Sequence, residues 1–210
     1  MNITIRKARK EDLPGIAAVH IECFPDYFST KMGKKILSSY YGKYLETDPD
    51  LFFIAYDNEQ NKVIGLTNGY VSGDGRSSRE EFISANKWGL IFRILLMLVK
   101  CDKVVWKKVI EILKSKKKTV KTENNQQQNK PKKKKIGLLS ICVKKEYRGT
   151  QAASMMIEKF DKACMEQGVG QYALSVFPDN SRAVAFYKKM GFEFSKETEN
   201  HAVYTKKLVK

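Results

Sequence analysis

The sequence predicts an α/β or α+β domain in which helices pack against a central sheet. Short stretches with alternating apolar residues recur along the chain, separated by longer stretches whose apolar residues have helical spacing. The chain has 210 residues and is 42% hydrophobic, which suits one domain, or one domain with an insertion. The charged fraction of 30% is below that of a disordered chain.

The first third of the chain predicts two helices between strands. Residues 3–8 (ITIRKA) alternate as a strand does, and residues 10–24 carry apolar side chains at helical spacing after two acids, which favour a helix N-terminus. A second helix is predicted over residues 30–45. Residues 51–57 and 62–73 predict two strands, and the NEQN between them is typical of a hairpin.

Residues 76–135 interrupt this order and predict an insertion between the third and fourth strands. Apolar and amphipathic patterns predict helices over about 80–114, and the polar, low-complexity stretch over about 115–135 predicts a disordered loop. Residues 100–135 contain fourteen lysines and three acids, so this segment carries +11 of the net charge of +16. The basic character therefore belongs mainly to the insertion and not to the whole fold.

Three interpretations of the insertion stay open. Its first helix could cover a face of the sheet or a dimer contact, with the lysines on a solvated loop. Its basic amphipathic helix could instead rest peripherally on an anionic membrane. Binding of nucleic acid is the least favoured interpretation, because the lysine-rich tail lacks the interleaved aromatic residues that stack on bases.

Regular strands and helices are predicted again after the insertion. The pattern gives a strand over about 136–144, a helix over about 149–166, a strand over 172–177 and a helix over about 181–190, followed by two more strands. The N-terminal residues contain no apolar run typical of a signal peptide, and the four cysteines have no CxxC spacing. We therefore expect reduced thiols and a cytoplasmic protein.

Two stretches of the second half indicate a binding site. In the first, a strand runs into Arg148 and Gly149, and a helix with small residues follows. A helix N-terminus exposes N–H groups that bind phosphate, and an arginine adds donors and charge. In the second, NSRAVAFYKKMGF, Asn180 is a good N-cap residue and Gly191 is well placed to end the helix. Each stretch alone is also explained by ordinary helix packing.

Together the two stretches resemble the GCN5-related N-acetyltransferase (GNAT) family. The matching residues are Arg148, Gly149, Ala153, Asn180, Ala183, Tyr187, Gly191 and Phe192. The resemblance covers about 150 residues, which is everything except the insertion. It implies a mixed, mostly antiparallel sheet flanked by helices, and acetyl transfer from acetyl-CoA to a primary amine by direct attack.

The resemblance also assigns roles by position. It implies that the backbone of a splayed cofactor strand pairs with the pantetheine arm, that the turn after this strand holds the pyrophosphate, and that Tyr187 protonates the leaving thiolate. The residues that the resemblance assigns to acetyl-CoA binding are Ile141, Cys142, Val143, Arg148, Gly149, Thr150, Gln151, Ala152, Ala153, Asn180 and Tyr187. One of them departs from the family pattern, because Gln151 stands where a central glycine is usual. Its backbone N–H survives, and its side chain either points away or alters the coenzyme geometry.

The sequence leaves the general base and the acceptor open. Glu22 and Asp26, at the end of the first helix, are the carboxylate candidates for the base, and His20 and His201 are alternatives. Phe24 and Tyr27 could wall the acceptor site or simply pack between helices. A small amine or amino sugar is the first expectation for the acceptor, and a protein N-terminus or lysine is the second. A non-catalytic binding module that uses the insertion for partner contact is the alternative to an enzyme, and either a monomer or a homodimer is compatible with the sequence.

Overall fold

A computed structural model of the chain describes residues 2–72, 83 and 135–208. A seven-stranded sheet in the order β1-β2-β3-β4-β5-β7-β6 forms its centre. Every neighbouring pair is antiparallel except β4 with β5. The strands are β1 (Ile3–Lys7), β2 (Phe52–Asp57), β3 (Lys62–Ser72), β4 (Lys135–Val143), β5 (Gln171–Val176), β6 (Glu193–Glu197) and β7 (Ala202–Lys207). The predicted mixed, mostly antiparallel sheet is confirmed.

Helices lie on both faces of this sheet. Alternation along β2 divides its side chains between two cores, so that Phe52 and Ile54 pack with α1 and α3 while Phe53 and Ala55 pack with α4. Short 3₁₀ turns precede α1, β2 and the turn before α4. The helices in the described part of the chain are α1 (Leu13–Cys23), α2 (Phe28–Lys31), α3 (Lys34–Thr47), α4 (Ala152–Glu166) and α5 (Ser181–Lys189).

Two predicted helix boundaries are wrong. The helix predicted over 30–45 is broken at Gly33, whose φ of 88° is unsuited to a helix, so that α2 and α3 are separate. The helix predicted from 149 begins at Ala152, because the left-handed Gly149 (φ 83°) belongs to the preceding turn.

The predicted insertion falls between the end of β3 at Ser72 and the start of β4 at Lys135. Its predicted helices and basic loop lie outside the described residues, apart from Ile83 and the first residue of β4. In the part of the chain that the structure describes, no helix is both long enough and apolar enough to cross a membrane.

Candidate active site

The central feature of the site is the place where β4 and β5 separate. The two strands pair in parallel only from Ile136 to Leu138, although β4 continues to Val143 with β3 beside it. A register shift in the β3–β4 pairing leaves Leu139 as an extra residue on β4, which is the arrangement of a β-bulge. Beyond the bulge, β4 therefore borders a cleft where the rest of the sheet would place another strand.

The backbone of β4 presents polar groups to this cleft. Lys144 donates its N–H to the Ile64 carbonyl of β3 at 2.9 Å. The backbone N–H and C=O groups of Lys144, and of every second residue before it as far as the bulge, therefore point towards β3. Residues between them face the opposite way, because successive residues of a strand direct their backbone groups to opposite sides. Ile141 and Val143 thus direct their N–H and C=O groups into the cleft.

The turn after β4 is anchored to the far end of β2. Tyr147 is 2% exposed and donates its hydroxyl to Asp57 at 2.6 Å, a hydrogen bond that lowers the pKa of the Asp57 carboxyl. Two residues further on, Gly149 has a left-handed φ of 83°, and a Cβ placed there would have no atom within 4 Å. Arg148 is exposed, so a charged side chain and open space lie together in front of the α4 N-terminus.

Gln151 occupies the N-cap position of α4 without strain. Its φ of −78° is open to any residue, so no glycine is required. The side chain is exposed and makes no capping hydrogen bond. Instead, Thr150 caps the helix, since its Oγ1 accepts from the Ala152 N–H at 3.3 Å. The remaining N–H groups of the first turn, at Ala153 and Ser154, lie in the positive end of the helix dipole.

α5 follows β5 on the other side of the cleft. Asn180 accepts from the Ala183 N–H at 3.2 Å, which confirms its predicted N-cap role. At the far end, Gly191 (φ 82°) donates to Lys188, and Phe192 donates to Tyr187 at 3.0 Å, the hydrogen bonds of a Schellman motif. Phe192 is 3% exposed and packs in the core.

Tyr187 lies on α5 and packs edge-on against the Phe192 ring, with 5.6 Å between centroids. Burial, together with smaller contributions from the nearby Tyr27 and Cys142, raises the pKa of its hydroxyl to about 12. The phenol is therefore protonated at neutral pH. Its proximity to Cys142 connects α5 with the open part of β4.

The predicted carboxylates lie at the end of α1. Glu22 forms an ion pair of 2.8 Å with Lys144, the residue that directly follows β4. Asp26 is exposed in the turn between α1 and α2. The fold thus brings Glu22 to the end of β4. The sequence gives no signal for this contact, because Lys144 lies far from Glu22 along the chain.

His20 is held in the core between two hydroxyls. Its Nδ1 lies 2.6 Å from the Tyr41 hydroxyl and its Nε2 lies 2.9 Å from Ser29 Oγ. Burial lowers the pKa of the imidazole to about 4, and both ring nitrogens already have hydrogen-bond partners. Tyr41 is in turn hydrogen-bonded to Ser140 of β4. His20 therefore supports β4, through Tyr41, from the side of α1 and α3.

An aromatic cluster joins the two sides of the cleft. Phe24 and Tyr27 have ring centroids 5.0 Å apart, Tyr27 and Phe177 are 6.4 Å apart, and Phe177 and His201 are 4.5 Å apart. Tyr27 and Phe177 are about two-fifths exposed. The sequence singled out Phe24, Tyr27 and His201 but missed Phe177, which looked like the last residue of a strand.

These features fit a coenzyme A molecule. The backbone of Ile141 and Val143 offers a strand edge that no other described strand pairs with, and such an edge suits an extended amide arm. The open space at Gly149, the exposed Arg148 and the first turn of α4 form a basic cradle of the kind that receives phosphates.

Comparisons with known proteins agree with this geometry. A family model described as the acetyltransferase (GNAT) family matches residues 106–192. The thialysine N-epsilon-acetyltransferase of Sus scrofa is 38% identical over 64 residues, which cover 30% of this chain and 38% of that protein. The match therefore spans less than half the length of this curated relative.

Solved structures resemble the whole chain at low sequence identity. The PaiA N-acetyltransferase from Thermoplasma acidophilum in complex with coenzyme A is 17% identical, with 99% of each chain covered and a TM-score of 0.59. Arabidopsis thaliana Naa50, solved with a bisubstrate analogue, is 15% identical, with 98% of this chain and 99% of that chain covered and a TM-score of 0.57. The family model thus matches residues 106–192 to the acetyltransferase (GNAT) family, and the solved structures show that the chain has the fold of these acetyltransferases.

Proposed function

We propose that this protein transfers an acetyl group from acetyl-CoA to the primary amine of a small acceptor by direct attack. The observation that carries the proposal is the separation of β4 from β5 next to a basic helix N-terminus, with a protonated tyrosine across the cleft. When bound, acetyl-CoA supplies an activated acetyl thioester. The protein's own groups bind it, orient it and handle protons.

Binding of the coenzyme is assigned to the backbone and the turn. The N–H and C=O groups of Ile141 and Val143 pair with the pantetheine arm, and an N–H of this strand polarises the acetyl carbonyl. The N–H groups of the first turn of α4, with Arg148, hold the pyrophosphate. The Asn180 oxygen already caps α5, so its amide N–H₂ group is the part that contacts the coenzyme arm.

Tyr187 is proposed as the general acid. A phenol whose pKa is about 12 keeps its proton at neutral pH and can give it to a departing thiolate. The four cysteines are not needed as nucleophiles, since direct attack forms no covalent enzyme intermediate.

Asp26 is the better candidate for the general base. Glu22 is paired with Lys144, and that ion pair holds its carboxylate at the end of β4, where it positions the strand. Asp26 lies exposed beside Tyr27, on the same side of the cleft as the aromatic cluster, where an acceptor would pack against the exposed rings. His20 is a poorer base because its two nitrogens are occupied.

A small amine is supported as the acceptor by the curated relative, whose name describes acetylation of the Nε of thialysine. A protein or peptide amine, such as a protein N-terminus, is the second candidate, because the structural neighbours include the NatB acetyltransferase complex bound to CoA and the NatC complex bound to a Gag peptide and CoA. The exposed rings of Tyr27 and Phe177 would pack on the aliphatic part of either acceptor. Membrane contact through residues 76–135 stays a prediction from the sequence.

A thiol-release assay tests the proposal. The protein is incubated with acetyl-CoA and either single amino acids and amines with a free primary amine or short peptides with a free N-terminus. We expect acceptor-dependent release of coenzyme A, with a preference for small amines over peptides. A preference for peptides would favour a protein acceptor. If calorimetry detected no binding of acetyl-CoA, the proposed acetyltransferase activity would be refuted.

Substitution of Tyr187 tests the acid. Tyr187→Phe should lower kcat about 100-fold or more while acetyl-CoA binding persists, because only a hydroxyl is removed. Tyr56→Phe is the matched control, since Tyr56 lies on β2 beside Arg6 and away from the cleft. Equal activity of wild type and Tyr187→Phe would exclude Tyr187 as the acid without excluding the transferase.

A further inference from the structure

The aromatic cluster of Phe24, Tyr27, Phe177 and His201 forms an open surface at the cleft. Phe24 and Tyr27 lie between α1 and α2, Phe177 follows β5, and His201 precedes β7. Successive rings are joined by the centroid distances of 5.0, 6.4 and 4.5 Å. Tyr27 and Phe177 are 43% and 42% exposed. Three segments far apart in the sequence thus bring together exposed rings, and a continuous exposed aromatic surface is typical of a binding site.

The chain around this cluster is acidic, although the whole protein is strongly basic. The segments that supply the rings, residues 24–27, 177–180 and 197–201, contain four carboxylates and no lysine or arginine, whereas the net charge of the chain is +16. All four carboxylates are exposed, and none of them forms an ion pair with another described residue. They are Asp26, Asp179, Glu197 and Glu199. Their negative charge is therefore available to a ligand.

Rings and carboxylates together fit a cation. Phe177 packs at 32° to His201, and Tyr27 meets Phe177 nearly edge-on at 72°, so the two exposed rings form a corner. An ammonium group in such a corner is attracted by the aromatic faces, and clustered carboxylates raise the local concentration of cations. A neutral alkyl group would gain only from the rings, and an anion would be repelled.

We propose that the acceptor carries a second ammonium group, which Tyr27, Phe177 and Asp179 hold while the other amine is acetylated. This acceptor class rests on the proposed acetyltransferase function and narrows the small amine to an alkyl diamine. The reacting amine is neutral when its nitrogen bonds to the acetyl carbon, and the carbon–sulfur bond breaks. The amine proton goes to the base Asp26, and Tyr187 gives its proton to the thiolate. The second ammonium group keeps its charge throughout.

Amines that differ only in the charge of their far end test the proposal. Diaminopentane with its amines at the two ends, pentylamine and aminopentanoate have five carbons each, and their far ends are positive, neutral and negative. Calorimetric titration of each amine into the full chain saturated with coenzyme A measures acceptor binding without turnover. We expect the diamine to bind about tenfold more tightly than pentylamine and aminopentanoate to bind most weakly. Equal affinities, or tighter binding of pentylamine, would overturn the proposal.

Two variants assign the preference to the cluster. Phe177→Leu keeps an apolar side chain but removes the ring, and Asp179→Asn removes the charge. Each should weaken diamine binding about threefold or more and change pentylamine binding by less than about twofold. Phe194→Leu is the matched control, because Phe194 is an exposed ring that packs edge-on against Tyr204, outside the cluster. Diamine binding that is unchanged in both cluster variants would refute the assignment.

Failure of the acceptor class is distinguishable from failure of the proposed function. If coenzyme A does not bind, the proposed function is refuted, and the same three amines titrated into the free protein decide whether the cluster selects a cation. If coenzyme A is released from acetyl-CoA as readily with pentylamine as with the diamine, at equal KM, the acetyltransferase stands and the diamine acceptor is wrong. The expected result is a KM for the diamine about tenfold below that for pentylamine.

Discussion

The two halves of β4 form one strand but have different surroundings. From Ile136 to Leu138 the strand pairs with β3 on one side and β5 on the other, and both of these residues are at most 5% exposed. From Ser140 to Val143 its partner among the described residues is β3 alone, and Leu139 at the bulge is 38% exposed. The first half stabilises the sheet, and the second half keeps backbone groups available for a ligand.

The largest effect expected from this difference is on stability. Leu138→Ala should lower the free energy of unfolding by about 2–5 kcal/mol, because it leaves a cavity in a closed core. Leu139→Ala removes the same atoms from the bulge and should cost no more than about 0.5 kcal/mol. Urea unfolding of the two variants and wild type measures both free energies. Equal losses of unfolding free energy in the two variants would contradict the claim that only the first half of β4 lies in a closed core.

A smaller effect concerns the support beneath the open half. Ser140 is hydrogen-bonded to Tyr41, which is bonded to His20, so these groups hold the strand from the α1–α3 face. Burial lowers the pKa of His20 from 6.5 to about 4, so the folded state binds fewer protons than the unfolded state between these pH values. The stability contributed by neutral His20 is fully present above pH 6.5 and is lost as the pH falls towards 4.

Unfolding at two pH values measures this contribution. Between pH 7.5 and 5.0, wild type should lose about 2 kcal/mol through His20. His20→Gln should lose less over the same interval. Identical pH dependence in wild type and His20→Gln would mean that His20 does not carry this linkage.

The turn at the end of the open half should show a more modest effect. Gly149→Ala places a side chain at a φ of 83°, which costs about 1–2 kcal/mol of conformational energy. Coenzyme A binding measured by calorimetry should therefore weaken by about tenfold if the turn readjusts. Gly170→Ala is the matched control, because a Cβ there also meets open space and the backbone is not left-handed. Equal affinities of the two variants would contradict a role for the Gly149 conformation.

The smallest effect is expected at Gln151. Its side chain is exposed and its backbone is not left-handed, so Gln151→Gly should change coenzyme A affinity by less than about twofold. A large gain in affinity on this substitution would instead mean that the glutamine side chain obstructs the phosphate cradle.

The elements of the fold could be predicted because their signals are local. Alternation located the strands, and Asn180 and Gly191 marked the two ends of α5 correctly. The errors were also local: Gly33 breaks a helix whose apolar spacing looked continuous, and Gly149 belongs to a turn and not to α4. The spacing of apolar residues does not reveal a single residue with left-handed backbone angles when the residues around it fit the helical period of 3.6.

The sequence by itself determined the order of the strands and helices, the caps of α5 and the residues that resemble the acetyltransferase family. Only the tertiary structure decided which side chains meet at the cleft. The pairing of Glu22 with Lys144 and the packing of Phe177 on His201 both join residues that lie far apart in the sequence. Such contacts depend on how the helices pack on the sheet and on where β4 leaves β5. The spacing of apolar residues within one helix or strand shows which of its faces is buried but does not show which other element packs against that face.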